Sequence, residues 1–164
     1  MKTAAFAGIA TAVAISLGGC GAPPKEAVAD VATFLRALQG QEPMALEARI
    51  DRLSLRADLK GQLLRLPEVR ALEQQLGGSV GEATIDRMLS PEAFKALGVR
   101  NGLLPQPGDL GAIRSRLKVL AAGRICLRGP DRRDCLFTFA RQDRAWKLVG
   151  VRAPEVTSPA LQAS

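Results

Sequence analysis

The side chains of this chain that could carry chemistry are three cysteines, the carboxylates and an unusually large number of arginines. The sequence contains no histidine and no tyrosine. This excludes Ser-His-Asp and Cys-His catalysis and histidine-ligated metal sites within the chain. Three cysteines cannot form a four-cysteine zinc site, and no spacing of Asp and Glu matches a catalytic pair. We therefore expect no metal, no cofactor and no catalytic residue.

Cys20 has the most informative surroundings of the three cysteines. It ends the run Leu17-Gly18-Gly19-Cys20, which follows a stretch from Ala4 onward that is almost wholly apolar or small. Ala4 to Leu17 is 14 residues, whereas a membrane-spanning helix needs about 20. The stretch has the length of the apolar region of a secretory signal peptide. Leu17 to Cys20 resemble the lipobox of bacterial lipoproteins, which implies cleavage before Cys20 and lipidation of its thiol.

The lipobox interpretation sets the organisation of the chain. It predicts a lipoprotein signal peptide at 1–19, a lipidated tether at 20–24, a single domain at 25–154 and a disordered tail at 155–164. Gly21 occupies the position where Asp usually retains Gram-negative lipoproteins at the inner membrane. The resemblance thus implies an outer-membrane location facing the periplasm. An ordinary signal peptide with a chance cysteine, or a retained apolar anchor, remains the alternative.

Cys126 and Cys135 flank an eight-residue segment between two β-like stretches. Strands that pair around an even-length loop place these cysteines opposite each other, with Cα atoms about 4.5 Å apart. An exported protein meets an oxidising compartment, so we predict a Cys126–Cys135 disulfide. Two buried free thiols are the alternative. A redox-active pair is disfavoured because the spacing is not Cys-x-x-Cys.

Positive charge is concentrated in the last third of the chain. Residues 21–112 carry 11 basic and 12 acidic side chains, whereas residues 113–152 carry 11 basic and 3 acidic ones. Such a region can bind an anionic lipid or cell-wall component, and export argues against nucleic acid. Arginine-rich composition from a GC-rich genome is the alternative explanation. The candidate anion-binding residues are Arg124, Arg128, Arg132, Arg133, Arg141 and Arg144.

The elements that must position these residues change type along the chain. Val28, Val31, Leu35 and Leu38 recur at helical spacing, and further short helices are expected up to Gly98. Residues 101–111 contain two Pro and three Gly and predict a loop. Alternating patterns then predict strands, in which Phe137 and Phe139 share a face with Cys135. In the last strand, either both faces are partly covered or Gly150 marks a bulge.

The order of these elements predicts an α+β fold: several short N-terminal helices packed on a C-terminal antiparallel β-meander of three to four strands. The chain from Val28 to Pro154 also resembles a bacterial family, the domain of unknown function numbered twenty-nine thirty-nine. It departs from the family at Arg52, where Phe is usual. The matching positions are Phe34-Leu35-Arg36-Ala37-Leu38, Leu46, Ile50-Asp51, Leu55-Arg56, Leu59-Lys60, Leu63, Ser90-Pro91-Glu92, Trp146-Lys147-Leu148, Val151 and Pro154.

The resemblance implies an envelope-associated α+β domain and implies no activity. Asp51 and Arg56 could form a polar site, but Asp is a preferred helix N-cap, so we expect them to cap and brace a helix. We predict a non-enzymatic, lipid-anchored envelope protein that acts as an interaction or scaffold domain with an envelope protein partner. Binding of an anionic envelope component through the basic sheet is the alternative, and a carboxylate-based hydrolase is a weaker one.

Overall fold

The computed structural model describes residues 21–40, 42–76, 79–103, 109–129, 131 and 133–152. Within that part of the chain, helices come first and strands last. The helices are α1 (Lys25–Gly40), α2 (Pro43–Glu47), α3 (Arg52–Leu63), α4 (Pro67–Leu76), α5 (Ser79–Met88), α6 (Pro91–Arg100) and α7 (Leu110–Arg116). The strands are β1 (Leu117–Leu120), β2 (Arg124–Arg128), β3 (Cys135–Gln142) and β4 (Ala145–Val151). The predicted α+β fold is confirmed.

Helix α1 forms the centre of the hydrophobic core. Its apolar stripe of Val28, Val31, Leu35 and Leu38 is buried, as the helical spacing predicts. Phe34 is fully buried and meets the rings of Phe137 and Phe139 edge-on, with centroids 5.5 and 5.4 Å away. Aromatic rings favour this arrangement because the positive edge of one faces the negative face of another. The helix therefore crosses the middle of the sheet.

The sheet is an antiparallel meander in the order β1-β2-β3-β4. The register between β3 and β4 shifts so that Phe139 pairs with Leu148 while Thr138 pairs with Gly150. Val149 is the extra residue, and the bulge brings Val151 back to the side of Leu148. Val151 is accordingly 6% exposed. The bulge beside Gly150, one of the two alternatives in the sequence, is thus confirmed.

A second bulge lies between β2 and β3. Leu127 pairs with Phe137, but Arg128 pairs with Cys135, so Leu136 is the extra residue. Side chains change sides across a bulge, and Cys135 therefore lies on the face of Cys126, opposite Phe137 and Phe139. The predicted shared face of Cys135 and the two phenylalanines is wrong, because simple alternation does not anticipate the inserted residue.

The outer edge of β4 is covered by the chain that precedes and forms α3. The backbone of Leu148 donates to Arg49 O at 2.8 Å and accepts from Asp51 N at 2.9 Å. Farther along, Val151 N donates to Asp58 Oδ2 at 3.3 Å, and Val151 O accepts from Gln62 Nε2 at 2.8 Å. A free strand edge is a template for unwanted pairing, and these contacts occupy it.

Helix α7 lies where the sequence predicts part of a loop. Asp109 caps it by accepting a hydrogen bond from Ala112 N at 2.8 Å, and Ile113 is its buried residue. The predicted loop of 101–111 is therefore too long at its C-terminal end. A seven-residue helix with one Asp N-cap and one buried residue shows too little periodicity to be recognised from the sequence.

Several sequence predictions fall outside the described residues. These are the signal peptide at 1–19, the lipidation residue Cys20, the candidate Arg132 and the tail at 155–164. In the part of the chain that the structure does describe, no helix is both long enough and apolar enough to cross a membrane.

Candidate functional site

The described candidate arginines divide between the two ends of the sheet. Arg124 begins β2 and pairs with Ala140, near the β3–β4 turn that contains Arg144 and follows Arg141. Arg128 ends β2, and Arg133 lies in the β2–β3 loop at the opposite end. A five-residue strand spans about 13 Å. The structure therefore brings three of the predicted residues to one end and separates them from the other two described ones.

The start of α1 lies at the end of the sheet that carries Arg124, Arg141 and Arg144. Asp30, near the start of α1, accepts a hydrogen bond from Trp146 N at 2.9 Å, and Trp146 pairs with Arg141. Phe34, one turn later, contacts Phe137 and Phe139, so α1 runs antiparallel to β3. Lys25 precedes Asp30 by five residues, or about 7.5 Å of helix, so it lies beyond Asp30 in the direction of the β3–β4 turn.

We call this region the tether end, because residues 21–24 lead into α1 here. Lys147 belongs to it, since it pairs with Ala140 and shares the outer face of the sheet with Arg124. Sequence reasoning missed Lys25 and Lys147, because nothing local indicates where α1 crosses the sheet. The tether end is defined by Lys25, Arg124, Arg141, Arg144 and Lys147.

The cations of the tether end are available to an external anion. All are exposed except Lys147, which is partly exposed. Among the described residues, none of the five forms an ion pair with a carboxylate. Glu26 and Asp143 are the exposed carboxylates nearby in sequence, so positive charge remains in excess. The four strands themselves contain no Asp or Glu.

The opposite end of the sheet differs in its charge. Arg152 forms an ion pair with Asp134, and Arg128 Nε lies 3.5 Å from Arg116 O. Arg133 is exposed, and its backbone N donates to Asp131 Oδ1 at 3.3 Å. Acidic residues are thus interleaved with basic ones here, and the described candidate arginines do not form one surface.

The predicted disulfide between Cys126 and Cys135 is confirmed, with Cα atoms 5.4 Å apart. The predicted geometry is wrong in one respect: Cys126 pairs with Thr138, and Cys135 pairs with Arg128. The two cysteines are therefore diagonal rather than directly opposed, because the strand register already pairs Cys126 with Thr138. The bulge at Leu136 then brings Cys135 opposite Arg128, on the same face as Cys126. The bond closes the β2–β3 hairpin at the end of the sheet away from the tether.

Asp51 and Arg56 do not form a common site. Asp51 is the N-cap of α3 and accepts from Ser54 N at 3.1 Å and from Ser54 Oγ at 2.6 Å. The hydrogen bond from the Ser54 hydroxyl lowers the pKa of Asp51; burial opposes this, and the Gln142 amide lowers the pKa further. Arg56 instead braces α3 against α5, where it bonds Asp86 Oδ1 at 2.6 Å and Glu82 Oε2 at 3.0 Å. The expected capping and bracing roles are confirmed.

A cleft between α1, α2 and α6 is the place where a carboxylate-based reaction would be sought. It has a volume of about 420 Å³, and Glu42, Glu92 and Lys95 line it. Both glutamates are exposed to solvent. A general acid among carboxylates needs a dry, apolar setting that favours its protonated form, and the surroundings of Glu42 and Glu92 do not resemble one. The cleft therefore adds no support to the hydrolase hypothesis.

Metal-ligating residues are not clustered in the part of the chain that the structure describes: no group of three or more Cys, Asp or Glu side chains there could hold an ion. Comparison of the chain with protein-family models, with curated proteins and with solved structures finds no match. The resemblance to the family numbered twenty-nine thirty-nine therefore stays a prediction, and function has to be argued from the geometry.

Proposed function

We propose that this chain is a lipid-anchored, non-enzymatic protein of the bacterial envelope whose tether end binds the anionic surface of the membrane that holds its lipid. The observation that carries the proposal is the shared location of the α1 start and of Arg124, Arg141 and Arg144. Lipid on Cys20 would bring that end of the domain, and no other, to the bilayer.

The length of the tether supports this orientation. Four residues separate Cys20 from Lys25, and an extended chain of that length reaches about 13 Å. Surface charges act over a Debye length of about 8 Å at physiological ionic strength. Cations at the tether end would therefore lie within or near the range of the negative surface potential of the membrane.

The energetics favour such a combination. Each Lys or Arg held near an anionic membrane contributes about 1 kcal/mol. A lipobox cysteine carries two or three acyl chains, which anchor a protein durably, whereas a single chain does not. Cations at the tether end would add a second, weaker attachment to the same membrane. In this chain the second attachment would also orient the domain, with the disulfide-closed hairpin directed away from the bilayer toward other envelope components.

Vesicle co-sedimentation of a chain that begins at Gly21 tests the proposal, because the lipid is then absent and every described element is retained. We expect binding to vesicles containing phosphatidylglycerol, loss of that binding at high salt, and no binding to phosphatidylcholine. The variant Arg124→Gln/Arg141→Gln/Arg144→Gln should bind at least tenfold more weakly, since three contributions of about 1 kcal/mol are lost.

The matched control is Arg65→Gln/Arg87→Gln/Arg114→Gln. These arginines are exposed and lie outside the sheet, and their replacement changes the net charge by the same amount. The control should bind nearly as well as the unaltered chain. Equal loss in both variants would mean that net charge alone acts, and no binding at low salt would reject the membrane surface in favour of a protein partner.

The lipid anchor needs its own test. In a bacterial host, the full chain should fractionate with membranes, and the mass of its N-terminal peptide should show an acylated Cys20. Cys20→Ser should abolish the acylation and release most of the protein to the soluble fraction. An unmodified Cys20, in a chain that is still exported, would reject the lipobox while leaving the vesicle result to stand by itself.

A further inference from the structure

An apolar groove lies between α3, α6 and the end of β4, remote from the tether end. Its volume is about 210 Å³, and its lining includes Leu59, Phe94 and Val151. These three side chains belong to the hydrophobic core and are at most 6% exposed. Met88 and Leu97, both partly exposed, form the walls of the groove. An opening therefore leads from solvent down to core residues.

Positive charge accompanies this apolar lining. Arg100, in the last turn of α6, is exposed and lines the groove. It forms no ion pair within the described residues. Arg152 also lines the groove, and the carboxylate of its partner Asp134 belongs to the β2–β3 loop. No Asp or Glu is among the described residues that line the groove.

We propose that this groove binds a single-chain anionic amphiphile, such as a short fatty acid, with the alkyl chain on Leu59, Phe94 and Val151 and the carboxylate at Arg100. Ligand sites combine an apolar lining with a few polar groups that fix orientation. The volume of about 210 Å³ suits one alkyl chain and not a two-chain phospholipid, because even drug-sized ligands occupy pockets of about 300–1,000 Å³. Guanidinium and carboxylate pair through charge-assisted hydrogen bonds.

The proposal is independent of membrane binding by the tether end. Val151 and Arg152 follow the bulge at the end of β4 that is opposite Trp146. Arg100 is not among the cations of the tether end. Substitutions in the groove and substitutions at the tether end therefore test the two binding proposals separately. A negative result for one proposal leaves the other standing.

Calorimetry and amide NMR titration of the chain from Gly21 to Ser164 with octanoate test the proposal. Octanol, which has the same chain length without charge, and acetate, which has only the head group, are the comparison ligands. We expect octanoate to shift the amide resonances of Phe94, Leu97 and Val151. It should bind about tenfold more tightly than octanol, as a charge-assisted contact predicts, and acetate should not bind.

Two variants separate the head-group contact from the apolar one. Arg100→Gln should weaken octanoate binding about tenfold and leave octanol binding unchanged, because only the charge-assisted contact is lost. Ala93→Leu, at a partly exposed residue that lines the groove, should fill it and weaken both ligands. Arg87→Gln is the control for Arg100→Gln, since Arg87 also lies exposed in the last turn of its helix. The fluorescence of Trp146 checks that each variant is folded.

Three outcomes would overturn the proposal. The first is octanoate binding that Arg100→Gln leaves unchanged. The second is a set of shifted resonances at Arg124, Arg141 and Arg144 instead of at α6, which would reassign the ligand to the tether end. The third is binding by a chain that ends at Arg152 but not by the chain that ends at Ser164. That result would assign the groove to the chain's own last twelve residues.

Discussion

Asp30 and Trp146 are joined by a hydrogen bond in which the backbone N of Trp146 donates to Asp30 Oδ2 at 2.9 Å. The other carboxylate oxygen of Asp30 accepts from Arg49 Nη1 at 2.5 Å. One side chain of α1 thus connects the first helix, the segment before α3 and the last strand. This contact fixes where α1 lies along the strands. It thereby places the start of α1, and the tether that leads into it, at the end of the sheet that carries the β3–β4 turn.

Replacing Asp30 should weaken the fold more than an ordinary surface change. Asp30→Ala leaves Trp146 N and Arg49 without their acceptor, and the Asp30 side chain is only 17% exposed. We expect a loss of about 2–3 kcal/mol, in the range for hydrogen bonds to charged groups. Asp30→Asn keeps an acceptor oxygen and should lose less. Urea unfolding followed by Trp146 fluorescence measures both, and equal losses would contradict the assigned roles of the two oxygens.

Loss of the disulfide should lower stability through the unfolded chain. A bond that closes a ten-residue loop removes conformational entropy worth about 2.5–3 kcal/mol. Cys126→Ala/Cys135→Ala should therefore lower the free energy of unfolding by about that amount, and dithiothreitol should do the same to the unaltered chain. Intact mass with and without alkylation establishes the redox state. Two alkylated thiols in protein purified without reductant would show that the bond does not form.

The ionised carboxylate of Asp51 makes a pH-dependent contribution to the free energy of unfolding. Its folded pKa is lowered below its ordinary value of 3.8, mainly by the Ser54 hydroxyl. The folded state therefore favours the ionised form, and this contribution is full above about pH 5 and is lost as the pH falls through the folded pKa. Asp51→Asn removes the titration but keeps a good N-cap.

Urea titrations of the unaltered chain and of Asp51→Asn at successive pH values measure this contribution. The free energies of unfolding of the two proteins should differ most near neutral pH, where the carboxylate is ionised in both the folded and the unfolded state. The two values should converge as the pH approaches the folded pKa of Asp51. A difference that stays constant down to about pH 2 would contradict the assignment.

Phe34 should be among the most sensitive core residues. It is fully buried and contacts both Phe137 and Phe139. Phe34→Ala should cost about 3–5 kcal/mol, the usual range for a buried phenylalanine. Phe34→Leu keeps most of the volume and should cost less. The matched control is Leu53→Ala on α3, where the side chain is 83% exposed, and its change should stay within about 0.5 kcal/mol. Similar costs for the two alanine variants would contradict the core assignment.

The features that the sequence predicts correctly are those carried by local pattern. The stripe from Val28 to Leu38 and the cap at Asp51 depend on residues within one or two turns of each other. The disulfide was also predictable, because Cys126 and Cys135 flank a hairpin loop and the predicted export implies an oxidising compartment. Its diagonal geometry was not, because no local pattern indicates that Cys126 pairs with Thr138 or that Leu136 is an extra residue in β3.

The candidate site was only partly predictable for a related reason. Arg141 and Arg144 are close to each other in sequence, and both belong with Arg124 once the strands pair. They are separated from Arg128 and Arg133 because β2 runs the length of the sheet, from Arg124 at the tether end to Arg128 at the opposite end. The approach of Lys25 to this group depends on the contact of Asp30 with Trp146, 116 residues apart, and no local pattern reports such a contact.

The occupied edge of β4 restricts where a strand from another molecule could extend the sheet. Trp146 N, both backbone groups of Leu148 and both of Val151 already have partners from Asp30, Arg49, Asp51, Asp58 and Gln62. Among the described strands, a strand from another molecule can therefore join only at β1. Two copies related by a twofold axis would then meet β1 to β1, in a continuous eight-stranded sheet. Such a pair would present only its two covered β4 edges, so strand addition would stop at two copies.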